Sequence, residues 1–182
     1  MARSPEAGSL QLGDCVMGGL GADCAPGREP CMRKFLVVLD DTRECLNAMR
    51  FAAMRAASTQ GGVEILSVIP PDEFNHWIGV GEVMRAEARE RIEAHFNVFA
   101  KWMRDRQGID PSLVIREGEP VDQILSHIRA TPEIGVLVLG AGSGKGGPGP
   151  LVTAMVKQAG TLPVPITIVP GELSKEQLEQ IT

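Results

Sequence analysis

The stretch Gly140-Ala141-Gly142-Ser143-Gly144-Lys145-Gly146-Gly147-Pro148-Gly149-Pro150 is the part of the chain best suited to holding an anion. Glycines leave backbone N–H groups open to a phosphate, a following helix start adds its positive end, and Lys145 supplies a cation. Gly142 and Gly144 are the positions where an added Cβ is expected to obstruct such a ligand. The same composition also suits a plain connecting loop. The other candidate is Asp40-Asp41-Thr42. Asp41 reads as a helix cap, with Glu44 three residues on completing a capping box. Asp40 could contact a ligand's hydroxyls or brace its own loop.

Several motifs are approached and missed. Gly142, Gly144 and Gly147 fit Gly-x-Gly-x-x-Gly, but two prolines interrupt the helix entry and no acidic residue follows near twenty positions on. The spacing before Gly144-Lys145 is one short of a Walker loop, and Gly146 stands where Ser or Thr would hold magnesium. Ser143 is flanked by Ala141 and Lys145, so it is no nucleophile elbow. His76 and Trp77 fall in a loop, and His95 and His127 on helices, where packed or solvated histidines are the default.

Strands and helices alternate around these residues. Apolar runs at 34–39, 63–69, 112–116, 135–139 and 166–169 read as buried strands. The first helix carries Leu46, Met49, Ala53 and Ala56 on one face and stops at Gly61-Gly62. A long second helix, from about Glu82 to Asp105, shows the stripe Met84, Ala88, Ile92, Phe96, Phe99 and Met103. Pro120 opens a third helix with Val121, Ile124, Leu125 and Ile128 inward, and a fourth turns Val152, Met155, Val156 and Ala159 inward. This order predicts an α/β fold, a doubly wound five-stranded parallel sheet with helices on both faces, whose ligands sit beyond the strands' carboxyl ends.

Bulk properties exclude several function classes. A net charge of −5 is no footprint for nucleic acid, and no apolar run approaches the ~18 residues of a membrane span. Cys15, Cys24, Cys31 and Cys45 lack zinc-site spacing and read as reduced thiols of a cytoplasmic protein. Residues 1–31 read as a flexible extension, 32–170 as the folded domain and 171–182 as a polar tail.

The residues resemble one family. Leu36-Val37-Val38-Leu39-Asp40-Asp41-Thr42 is similar to the first strand and turn of universal stress proteins, with Asp41 in the glycine's place. Arg116-Glu117-Gly118-Glu119-Pro120, Val136-Leu137-Val138-Leu139-Gly140 and Leu162-Pro163-Val164-Pro165-Ile166-Thr167-Ile168-Val169 resemble three further segments in the right order. The resemblance implies strand order 3-2-1-4-5, homodimerisation and, in some members, ATP held with magnesium. Carried over by position, Asp40, the Val68 backbone, Gly140 and Thr153 would hold the nucleotide. The second loop glycine falls at Ser143 or Gly144, and Val152 replaces the glycine before Thr153. The expectation is therefore a stress-response protein that binds ATP without significant turnover, and no general base is visible for a weak ATPase. A nucleotide-free dimeric scaffold for an unknown protein partner is the alternative. Dimer pairing is expected at the last strand, through Ile166 and Ile168.

Overall fold

The computed structural model describes residues 33–40, 42–71, 81–144 and 146–182. Cys15, Cys24, Cys31, the extension 1–31, Asp41, His76, Trp77 and Lys145 lie outside the described residues. The chain runs β1 (Lys34–Leu39), α1 (Cys45–Thr59), β2 (Gly62–Ile69), α2 (Gly81–Gln107), β3 (Ser112–Glu117), α3 (Pro120–Ala130), β4 (Ile134–Ala141), α4 (Pro150–Lys157), β5 (Ile166–Pro170) and α5 (Lys175–Ile181). All strand pairs are parallel, as the alternation of strands and helices predicts, and the sheet order is β3-β2-β1-β4-β5, as the family resemblance implies. β1 therefore lies between β2 and β4, and the chain leaves β1 and β4 towards opposite faces. The crevice between their carboxyl ends is the switch point.

Alternation along the strands fills two cores. Val37 and Leu39 face α1, α2 and α5, with Val63, Ile65, Val138 and Val169 beside them. Leu36 and Val38 face α3 and α4, with Leu66, Leu137 and Leu139, against Ile124, Ile128, Val152 and Met155. α1 meets the sheet through Ala48, Met49, Ala52, Ala53 and Ala56, all fully buried, and its alanines let the helix lie close. The expected face of α1 is turned slightly, because Leu46 is exposed. The helix ends at Gln60 in a left-handed conformation, its N–H donating to the Ala56 carbonyl, while Gly62 already belongs to β2. Gly61 is required for a different reason: a Cβ there would stand 2.6 Å from the Arg33 carbonyl oxygen.

Three expectations differ from the structure. α1 begins at Cys45 with Glu44 in the cap position and no side-chain cap. Val156 and Ala159 are exposed rather than inward, because α4 ends at Lys157 and a 3₁₀ turn over Ala159–Thr161 redirects the chain; Met84 is exposed as well. Residues 171–182 are not only a polar tail. Ser174 and Gln177 form a reciprocal capping box for α5, and Leu178 is fully buried in the core beneath α1. Asn47 Nδ2 holds the approach to that helix by donating to the carbonyls of Gly171 and Leu173, both at 2.9 Å.

Candidate functional site

A cavity of about 610 Å³ opens at the carboxyl ends of β1 and β4. Its inner wall is apolar: Val38 and Leu39 from β1, Val68 from β2, Leu139 from β4. Asp40, Thr42 and Glu44 border it from the β1–α1 turn. The β4–α4 loop closes the other side through Gly140, Gly142, Gly144, Gly146, Gly147 and Gly149, with Pro148 and Pro150. The volume suits a small organic ligand.

Asp40 takes up one of the two roles open to it and leaves room for the other. Its Oδ1 accepts from the Thr42 N–H at 3.1 Å and from the Thr42 hydroxyl at 2.5 Å, which braces the turn. Asp40 as a whole borders the cavity. Val68 lies where β2 leaves the sheet core, with its backbone registered against Arg116 of β3.

The glycines of the loop differ in what they are for. A Cβ on Gly140 would stand 2.6 Å from the carbonyl carbon and oxygen of Glu44, so this glycine lets the start of α1 lie against the end of β4. A Cβ on Gly142 would meet Glu44 Oε1 at 3.0 Å and the Gly147 carbonyl oxygen at 3.1 Å. Around Gly144 nothing lies within 4 Å, so of the two positions expected to block a ligand only Gly142 is already crowded by protein atoms. Gly149 has φ of 98°, a backbone conformation that L side chains rarely adopt, and stands just before Pro150 at the start of α4.

That placement fixes where the last residue of the position-by-position transfer lies. Thr153 lies a full turn inside the region where α4 begins, is exposed, and donates its hydroxyl to the Gly149 carbonyl at 2.8 Å. It borders an adjoining groove with Val121 and Lys157, which shares Gly146, Gly149 and Pro150 with the main cavity. The helix-start glycine is Gly149, three residues before Val152, and Pro150 follows it in place of a residue with an N–H. Ser143 likewise borders a neighbouring groove, with Arg43 and Arg50. Glycine followed by proline at a helix start was the signal in the sequence for this register.

The loop also uses its own donors. The Gly142 N–H donates to the Pro148 carbonyl at 3.4 Å and the Gly147 N–H to the Gly144 carbonyl at 3.0 Å. Two carboxylates, Asp40 and Glu44, border the cavity, and among the described residues no Lys, Arg or His does. No group of three or more His, Cys, Asp or Glu among the described residues could hold a metal ion. None of their helices is long and apolar enough to cross a membrane.

Residues 32–170 match the universal stress protein family. The chain belongs to that family. A search among curated proteins finds no significant sequence match. Among solved structures, this universal stress protein is similar to one from Lactobacillus plantarum at 20% identity, covering 76% of this chain and 97% of that one, with a TM-score of 0.62. It is also similar to a family member from Arabidopsis thaliana with AMP bound, at 15% identity, 76% and 91% coverage and a TM-score of 0.52. A third, from Archaeoglobus fulgidus in complex with dAMP, is 18% identical, with 76% and 97% coverage and a TM-score of 0.50. At these identities the likeness shows that the universal stress proteins share this fold.

Proposed function

We propose that the protein binds an adenine nucleotide in the β1/β4 crevice, as a cytoplasmic stress-response protein without significant turnover. The observation that carries this reading is the convergence, in one cavity of about 610 Å³, of the Asp40 carboxylate, the Val68 strand end and the glycine loop. Asp40 would accept a ribose hydroxyl through its carboxylate. The apolar wall of Val38, Leu39, Val68 and Leu139 would take the base, with the Val68 backbone supplying directional contact. Backbone N–H groups of the loop and of the first turn of α4 would meet phosphate. Solved family members with AMP or dAMP support a nucleotide as the ligand class. ATP is the family-based expectation, and magnesium would enter only with it.

The test is to denature the purified protein and look for released nucleotide by absorbance and mass spectrometry, followed by calorimetry with adenosine, AMP and ATP. Asp40→Asn keeps an acceptor for Thr42 and removes the charge, so it should weaken all three ligands alike. No released nucleotide and no heat at millimolar concentration would retire the reading.

One observation supports a dimer, which the alternative reading, a nucleotide-free dimeric scaffold, also needs. β5 is an edge strand, and its Ile168 is 41% exposed. Pairing of two β5 strands would cover that side chain and satisfy the edge's free backbone groups.

A further inference from the structure

Glu44 borders the cavity where the β4–α4 loop meets the exit of β5. Its Cγ would lie 2.5 Å from a Cβ on Gly171, and its Oε1 3.0 Å from one on Gly142. Two glycines from different segments, the exit of β5 and the β4–α4 loop, thus clear the path of one side chain. Gly171 is itself tied down, its N–H donating to the Ala141 carbonyl at 2.8 Å. Glu44 is partly buried and, with Asp40, borders the cavity.

The loop beneath it is poor in what a polyphosphate needs. Gly142 and Gly147 have their N–H groups engaged inside the loop, and Pro148 and Pro150 have none to offer. Lys145 is the loop's one basic residue; Arg43 and Arg50 border the neighbouring groove that Glu44 also lines, whereas the main cavity is bordered by the carboxylates of Asp40 and Glu44 and by no described Lys or Arg. A fixed negative charge within a few ångströms of a ligand's phosphates acts in a medium less polarisable than water, where repulsion per charge is several times greater.

From these observations, and resting on the reading of the cavity as an adenine nucleotide site, we infer that Glu44 limits the negative charge of the ligand. The site takes a nucleoside carrying no more than one phosphate and discriminates against polyphosphates. Glu44 supplies the anion that a β- or γ-phosphate would otherwise place at the loop. The apolar wall and Asp40, which recognise base and ribose, are untouched by this restriction.

Calorimetry with adenosine, AMP and magnesium-free ATP tests it on wild type and on Glu44→Gln. In ~50 mM salt, wild type should bind AMP at least tenfold more tightly than ATP. Glu44→Gln should narrow that ratio about tenfold by tightening ATP, with adenosine unchanged. Glu44→Ala should do the same, and guards against an effect of the glutamine itself. In ~1 M salt the wild-type ratio should also shrink, because screening removes most of the repulsion. Wild type that binds ATP as tightly as AMP, or a ratio that both variants leave unchanged, overturns the inference and leaves the nucleotide site standing. Failure of all three ligands to bind overturns the site reading, and the inference with it.

Discussion

Nε2 of His127, on α3, lies 2.6 Å from Oε1 of Glu64, on β2, and both side chains are buried. The other carboxylate oxygen of Glu64 accepts from Lys34 Nζ at 3.0 Å and from the Ser112 hydroxyl at 3.3 Å, and Lys34 also pairs with Glu133 at 2.8 Å. The cluster sits at the amino ends of β1, β2 and β3, at the far end of the sheet from the cavity. Every polar atom of Glu64 therefore has a partner, which is what lets a charge persist on a central strand.

This cluster sets a pH dependence. Burial pushes the Glu64 carboxyl up, but the hydrogen bonds from His127 and Lys34, with the Lys34 charge, outweigh it and hold the group below the ordinary carboxylate range. A carboxyl lowered on folding stabilises the protein above its unfolded pKa, about 4.3, and that contribution is lost as pH falls through the lower folded value. Glu64→Gln should cost about 3 kcal/mol at neutral pH and progressively less below ~pH 4. Denaturant unfolding from pH 3 to 7 measures it; a cost that stays constant with pH would show that the charge contributes nothing.

Two glycines of the same loop should respond in opposite ways to alanine. Gly140→Ala drives a Cβ into the backbone of Glu44 and should cost about 3 kcal/mol, because neither β4 nor the start of α1 can move aside cheaply. Gly144→Ala meets open space and should change stability by less than ~0.5 kcal/mol. Thermal melting of the pair decides the matter, and equal melting temperatures would contradict the packing described.

Leu178 ties the last helix to the core, so Leu178→Ala should cost about 3 kcal/mol although it lies beyond the family match. Ending the chain after Pro170 should cost at least as much, since it also removes the carbonyls that Asn47 holds. A truncated protein that melts with the full chain would show that α5 is only an appendage.

Ile168→Lys on the edge strand β5 should abolish self-association while leaving the monomer's dichroism unchanged. Sedimentation at tens of micromolar reads this directly, and a wild-type protein that is already monomeric there removes the dimer proposal.

The fold was legible because parallel strands buried on both faces are apolar runs, and β1, β4 and β5 are such runs bounded by Gly, Pro or Asp. Pro120 and the alternation of strand and helix supplied the rest. α5 was missed because two leucines, Leu173 and Leu178, are all that a short polar segment shows of its buried side. Its capping box, Ser174 with Gln177, was nevertheless written in the sequence. At the site, Asp40, Val68 and Gly140 line the cavity and Thr153 an adjoining groove, because glycines and prolines in the loop let α4 start earlier than counting from a family pattern suggests. The role of Glu44 could not be read, since it depends on Gly142 and Gly171, which only the folded sheet brings to it. The Glu64–His127 pair joins residues 63 positions apart, which spacing does not reveal.

α1 lies against the sheet, α2 and α5, and its Ala48, Ala52, Ala53 and Ala56 have no exposed surface. A helix enclosed on so many sides has little direction in which a side chain can grow. A larger residue at Ala52 or Ala53 should therefore be tolerated only with a smaller one opposite it, whereas single substitutions at the exposed Arg50, Ser58 and Thr59 should meet no such packing constraint.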